Sequence, residues 1–268
     1  MKNKRGCITA VTIAASDSGG GAGIQADLLT FAAHGLHAAT VLVAVTAQDT
    51  SRIYSMEPLS PSIIRRQMDA VFPDLRPSAV KIGALYDEAR VRAVAAGLER
   101  HRARNVVLDP VLAAKGGRRL LVPAAVRALT RELFPLCDLV TPNLPEAESL
   151  SGIRIRDDAS RRDAARALAA AGAKAVLVKG GHFAGEAVTD LLFDGKSFFE
   201  FRGKRRKTRA THGLGCTLSS AIAANLALGS PLKDAVRLGI EYLRAALDRG
   251  IFPGRGCGTP GRLRTRAT

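Results

Sequence analysis

Short runs of β-branched and other apolar residues alternate along the chain with longer Ala-, Leu- and Arg-rich stretches of helical period. The short runs cover residues 8–15, 39–45, 79–82, 105–108, 139–140 and 175–178. Their nearly unbroken apolarity suits strands covered on both faces, and their alternation with helix-length segments predicts βαβ units in a mostly parallel sheet. Helices are expected over 23–34, 62–72, 87–102, 123–134 and 160–171. The rhythm changes at 187–193 and 197–202, two alternating runs around Asp194-Gly195, a dipeptide suited to a two-residue hairpin turn. A short antiparallel edge is therefore predicted there. Two further helices, 217–228 and 232–249, close the pattern. Residues 253–268, rich in Arg and Gly with little to bury, read as a flexible tail. No repeat or compositional break divides the 268 residues, so a single α/β domain is expected.

Composition narrows the function. With 47% hydrophobic residues the chain can bury a sizeable core, yet no apolar run reaches the length of a membrane span, so no membrane partner is expected. Forty Lys and Arg against 24 Asp and Glu give a net charge of +16, which raises a polyanion as a partner. The basic residues are nevertheless dispersed along the chain, many on expected solvent faces of helices such as 87–102. Nine Phe, three Tyr and no Trp leave little for base stacking, and no specific nucleic acid is expected. Cys7, Cys137, Cys216 and Cys257 show no paired C-x-x-C spacing, which speaks against a zinc ribbon or a disulfide framework and for a reducing compartment. Lys2, Lys4 and Arg5 before an apolar run imitate a secretory signal, but the run passes directly into Ser16-Asp17-Ser18-Gly19-Gly20-Gly21. That junction reads as a first strand entering a loop, and a cytoplasmic protein is expected.

In an open parallel sheet, ligands bind beyond the carboxyl ends of the strands. The candidate strands end in polar segments: residues 16–23 with Asp27 in the next helix, then Thr46-Ala47-Gln48-Asp49-Thr50, Lys81-Ile82-Gly83, Asp109-Pro110, Thr141-Pro142-Asn143-Leu144-Pro145-Glu146, and Lys179-Gly180-Gly181-His182. The Gly-rich loop has neither a Walker A lysine nor dinucleotide spacing; a carboxylate at Asp27 and an amide at Gln48 could together read the edge of a heteroaromatic ring. Thr211-His212-Gly213-Leu214-Gly215-Cys216-Thr217 sets two glycines at the start of an apolar helix, whose free amides would form an anion hole. Cys216 would then lie in the first turn, where the helix dipole favours thiolate. Asp109, Asn143 and Glu146 offer the oxygen atoms that Mg²⁺ takes while bridging phosphates, although Asn143 or Glu146 could equally cap a helix near Pro145. Lys179 adds a cation of the kind that phosphoryl transfer uses.

These motifs, in this order and nearly end to end, resemble the hydroxymethylpyrimidine/phosphomethylpyrimidine kinases of thiamine biosynthesis, in the ribokinase-like superfamily. The resemblance implies a three-layer α/β fold, a homodimer, and ATP- and Mg²⁺-dependent phosphorylation of 4-amino-5-hydroxymethyl-2-methylpyrimidine and then of its monophosphate. It implies that Asp27 and Gln48 hold the pyrimidine, with Gly19, Val45, Gly83 and Ala84 beside it. Asp109, Asn143, Lys179, Thr211 and His212 would serve ATP and its phosphates, and Glu146 and Asp109 the metal. Gly213, Gly215, Cys216 and Lys179 would form the catalytic group, with the Cys216 thiolate taking the hydroxymethyl proton. Pyridoxal kinase is the nearest rival, and a ligand-sensing descendant without activity is the other alternative.

Overall fold

The short apolar runs become strands because their alternate residues are covered from both sides. Val80 and Ile82, Val106 and Leu108, Val140, and Val176 and Val178 face one buried cluster, while Ala79, Val107, Leu139 and Leu177 face a second. The structure, a computed structural model, describes residues 7–114, 117–181 and 185–261. Its elements are β1 (Thr9–Ser16), α1 (Gly23–Ala33), β2 (His37–Gln48), β3 (Ile53–Pro58), α2 (Pro61–Leu75), β4 (Ala79–Ile82), α3 (Glu88–Arg100), β5 (Val106–Leu108) and α4 (Ala125–Ala128). They continue with β6 (Leu139–Val140), α5 (Leu144–Ser151), α6 (Asp158–Ala170), β7 (Val176–Val178), β8 (Ala187–Phe193), β9 (Phe198–Lys204), α7 (Leu214–Ala227) and α8 (Leu232–Leu247).

One nine-stranded sheet runs in the order β3-β2-β1-β4-β5-β6-β7-β8-β9. The six expected strands form its parallel centre, and the hairpin around Asp194-Gly195 forms the expected antiparallel edge as β8 and β9. The chain moves outward from β1 to β2 and later returns to β1's other side as β4, so a crevice opens beyond the ends of β1 and β4. Helices α1, α7 and α8 cover one face through Phe31, Leu218, Ile222 and Val236; α2 to α6 cover the other through residues such as Ile64, Met68, Leu98 and Leu168. Among the described residues no helix is long and apolar enough to cross a membrane.

Three expectations change. Strand β3, paired antiparallel to β2, has no counterpart in the sequence reading. It is a half-exposed edge strand with no buried residue and carries no continuous apolar run. The expected helix over 123–134 is one turn of α-helix followed by a π-helical turn (Leu129–Leu133) and a 3₁₀ turn (Phe134–Leu136). Pro135 lacks an amide and cannot extend the α-helical pattern. The expected tail is tied down as far as it is described: the amides of Gly256 and Cys257 donate to Thr50, Gly258 donates to Arg209, Thr259 pairs with Ile251, and Gly261 donates to Ala246. Residues 262–268 lie outside the described residues.

Candidate active site

A cavity of about 770 Å³ opens at the carboxyl ends of the strands. On the β1–β2 side it is lined by Ser16, Asp17, Thr46, Gln48, Met56 and Ala84, and on the β8–α8 side by Val188, Arg205, Leu243 and Arg244. Between them lie Asp109, Asn143, Glu146, Lys179 and the start of α7. The volume falls within the range of small-ligand sites.

The centre is built from strand ends. Lys179, just after β7, donates to Asp109 Oδ1 at 2.7 Å and lies 4.0 Å from Glu146 Oε2. Thr141 Oγ1 reaches Asp109 Oδ1 at 3.4 Å. Burial works against the Lys179 ammonium, but Asp109 and Glu146 outweigh it and raise its pKa. Burial pushes the Glu146 carboxyl up to about 7, Asp109's charge adds to this, and Lys179 opposes it. Asn143 and Glu146 also cap α5 reciprocally: Glu146 N donates to Asn143 Oδ1 at 2.9 Å and Asn143 N donates to Glu146 Oε2 at 2.8 Å. The capping reading of Asn143 and Glu146 is thus the one their hydrogen bonds show, and both residues also line the cavity.

Helix α7 begins at Gly213 with φ +78° and no capping side chain. The amides of Leu214, Gly215 and Cys216 have no acceptor among the described residues and point out of the helix start, which makes the expected anion hole. A Cβ on Gly215 would lie 2.7 Å from Asp109 Oδ2, so the hole opens directly onto the carboxylate centre. Cys216 contradicts its expectation. Burial pushes its thiol up to about 11, and Asp27 and Asp109 push the same way against the pull of Lys81. The dipole argument fails because desolvation of the anion outweighs it.

The Gln48 end is organised by Asp17, a residue the sequence reading left without a role. Its carboxylate accepts the amides of Gly19 at 2.8 Å, Gly21 at 3.1 Å and Ala22 at 2.8 Å, and His212 Nε2 lies 2.8 Å from Oδ2. Burial raises its pKa, but the His212 contact and the amides outweigh this and hold it below the usual carboxylate value. The Gly-rich loop therefore spends its amides on its own aspartate rather than on a bound anion. Gln48 Nε2 is 3.3 Å from the same His212 nitrogen, so His212, next to Gly213 at the start of α7, faces the Gln48 end of the cavity. Asp17→Ala is expected to cost about 3 kcal/mol of stability, because three amides and His212 lose a buried acceptor. Urea unfolding measures this; a loss under about 1 kcal/mol would mean that water replaces the carboxylate.

Of the residues expected to hold the substrate, Gln48 and Ala84 line the cavity and four do not. Asp27 has no exposed surface, and its oxygens are taken by Thr12, Lys81 and Ser220, so it cannot reach a ring. Gly19 is turned onto Asp17, Val45 is 40% exposed on the β2–β3 pair away from the cavity wall, and Gly83 packs behind it against Ala14 and Lys81. Asp109, Asn143, Glu146, Lys179, Thr211, His212, Gly213, Gly215 and Cys216 all line the cavity. Sequence reading missed the apolar wall from α8 and the contribution of β3 through Ile53 and Met56. Lys81, quoted only as a strand end, lies against the cavity as well.

A cavity beyond the carboxyl ends of a parallel sheet, with the unpaired amides of a helix start between its Gln48 end and its arginine-bearing end, is the arrangement of a ribokinase-like small-molecule kinase. The family model described as phosphomethylpyrimidine kinase matches residues 17–261, and the chain belongs to that family. It is 50% identical to a hydroxymethylpyrimidine/phosphomethylpyrimidine kinase of Rhizobium meliloti, over 92% of this chain and 94% of that one. It is 48% identical to a thiamine biosynthesis bifunctional protein of Geobacter sulfurreducens, over 92% of this chain but only 51% of that protein's length. Among solved structures, a phosphomethylpyrimidine kinase from Clostridium difficile superposes with a TM-score of 0.80 at 40% identity, covering 88% of this chain and 98% of that one. An ADP complex of Bacillus subtilis pyridoxal kinase superposes with a TM-score of 0.89 at 33% identity, covering 96% and 97%.

Proposed function

We propose that this protein transfers the γ-phosphoryl group of ATP to the hydroxymethyl oxygen of 4-amino-5-hydroxymethyl-2-methylpyrimidine, and then phosphorylates the resulting monophosphate, in thiamine biosynthesis. The observation that carries this reading is the set of unpaired amides at Leu214, Gly215 and Cys216, placed between the Gln48 end and the Arg205–Arg244 end of one cavity. The pyrimidine lies at Gln48, Thr46 and Ala84, and the nucleotide extends toward α8. The α7 amides receive the γ-phosphoryl oxygens as charge shifts between oxygens. The substrate oxygen bonds to the γ-phosphorus as the bond to the β–γ bridging oxygen breaks, and ADP leaves. The hydroxyl proton passes to an oxygen of the transferred phosphoryl, since a thiol near 11 is already protonated at neutral pH.

Asp109 and Glu146 supply two hard oxygen donors beside the anion hole, a set that suits Mg²⁺ completed by phosphate oxygens and water. Among the described residues no group of three His, Cys, Asp or Glu side chains gathers for a metal, and phosphate oxygens and water would supply the remaining positions. When bound, the ion neutralises phosphate charge. The protein acts as a homodimer in the cytoplasm; Val45 and Tyr54, exposed at the β2–β3 edge, support a partner there.

The test is ADP release with ATP and Mg²⁺ on one purified sample, offered the pyrimidine, its monophosphate and pyridoxal in turn. Turnover of both pyrimidines is expected. Pyridoxal alone would move the assignment to the activity named for the Bacillus relative, and binding without any turnover would mark a ligand sensor. Cys216→Ser and Cys216→Ala are each expected to keep kcat within about tenfold of wild type, because a general base contributes 10²-fold or more and a protonated thiol does not fill that role. A fall of about 10²-fold in both variants would restore the base.

A further inference from the structure

Among the buried charges that the catalytic centre leaves unused, Lys81 lies against the cavity itself. Lys81 lies on β4, where the two-residue period sends it to the same face as Ala79, toward α1 and α7. Across the β1–β4 pair its register partner is Thr12, which points to that same side. Both meet Asp27 on α1: Lys81 Nζ donates to Asp27 Oδ2 at 2.7 Å, Thr12 Oγ1 donates to the same oxygen at 2.6 Å, and Ser220 of α7 donates to Oδ1 at 2.7 Å. Lys81 and Asp27 both have no exposed surface. An isolated ion pair at that depth is weak evidence for stability, since desolvation offsets much of the attraction. The arrangement is also unsymmetrical. Asp27 has three donors and lies off the cavity wall, whereas Lys81 has Asp27 as its single hydrogen-bond acceptor among the described residues and lies against the cavity. Space is reserved for the ammonium: a Cβ on Gly83 would come within 3.0 Å of Nζ. Asp27 keeps Lys81 charged against the cost of burial, and that charge acts on Cys216.

We propose that Lys81 is a positioning residue for phosphoryl transfer, with Asp27 as its anchor: the pair is an oriented dipole whose positive pole is fixed on the wall of the cavity that Leu214, Gly215 and Cys216 also line, and Ser220 ties the same Asp27 to α7. A pole set before the reaction needs no reorganisation when negative charge shifts toward the transferred group, and this is where fixed dipoles contribute most. The inference rests on the kinase reading for its chemistry and gives Asp27 a role other than ring binding.

Removing Lys81 alone would leave Asp27 buried and unpaired, so the test replaces both partners. Asp27→Asn/Lys81→Met, and as a second variant Asp27→Asn/Lys81→Gln, remove the charges while keeping side-chain volume and hydrogen bonds to Thr12 and Ser220. A folded variant, shown by a cooperative thermal transition, is expected to lose about 10²-fold in kcat while KM for ATP and for the pyrimidine stays within about threefold. A thermal-shift titration with ADP and Mg²⁺, with and without orthovanadate, reads the anion hole even if the pyrimidine is not turned over. The extra affinity given by vanadate is expected to fall about tenfold or more, with affinity for ADP alone unchanged. Wild-type kcat in a folded variant, or an unchanged vanadate effect, would show that the pair is only structural. Absence of wild-type turnover with an intact vanadate effect would instead count against the substrate assignment and not against Lys81.

Discussion

Lys179→Met is expected to lower kcat/KM about 10³-fold, with most of the loss in kcat. The methionine nearly matches the lysine in length and apolar volume, so packing after β7 is kept and the ammonium is what disappears. That ammonium donates to Asp109 at 2.7 Å and stands 4.0 Å from Glu146, in the part of the cavity where phosphate charge must be balanced. Its loss acts twice. The moving phosphoryl group loses a fixed cation, an effect of 10²-fold or more for one well-placed group. Asp109 and Glu146 are also left facing each other without their shared counter-charge, which holds Glu146 protonated to still higher pH and weakens it as an oxygen donor. Lys179→Arg is expected to recover only part of the loss, because a planar guanidinium cannot place one donor on Asp109 as a compact ammonium does. Steady-state kinetics with a circular-dichroism check of the fold decide the matter. A Lys179→Met enzyme within tenfold of wild type would mean that the α7 amides and the metal carry the phosphoryl charge without it.

The parallel centre of the fold was legible because most of its strands are buried on both faces and therefore nearly continuously apolar. The same logic hid β3. An edge strand with one neighbour and much exposed surface is under no pressure to be apolar, and Ile53–Pro58 mixes Tyr, Ser, Met and Glu accordingly. The C-terminal segment was misread for a related reason: its order comes from backbone hydrogen bonds to Thr50, Arg209 and Ala246, and backbone groups are the same in every sequence.

At the site, motifs at strand ends converge in space, and most of the named residues line one cavity. Which way a side chain turns was not legible. Asp27 read as a ligand-facing carboxylate because nothing in the linear sequence shows that Thr12, Lys81 and Ser220 converge on it from two strands and a second helix. Lys81 was visible as a charge in an otherwise apolar strand, and a lysine in a strand buried on both faces is itself a signal that a partner carboxylate lies opposite. Cys216 lies at the helix start as expected, but its burial pushes the thiol up where the dipole argument alone expected it lowered. A helix start is readable from two glycines, whereas the depth of burial that governs the thiol is a property of the packed molecule.

Gly213→Ala is expected to reduce kcat about 10²-fold and to destabilise the fold, and two separate costs can be distinguished. The residue has φ +78°, a left-handed conformation that costs an alanine about 1 kcal/mol. Its new Cβ would also fall 2.0 Å from the carbonyl oxygen of Gly21, a backbone atom that can move only with the Gly-rich loop or the start of α7. Gly20 separates the two: it has φ +77° with nothing within 4 Å of a Cβ, so Gly20→Ala bears the conformational cost alone. Gly20→Ala should therefore lose about 1 kcal/mol in urea unfolding and little turnover. Gly213→Ala should lose more in both, because relieving the clash moves the Leu214, Gly215 and Cys216 amides away from the phosphoryl oxygens, and displacements near 1 Å are enough for a 10²-fold effect. The excess of Gly213→Ala over Gly20→Ala isolates the contact with Gly21. Equal effects in the two variants would mean that the loop and the helix start move apart without disturbing the anion hole, and the contact between them would then have no part in catalysis.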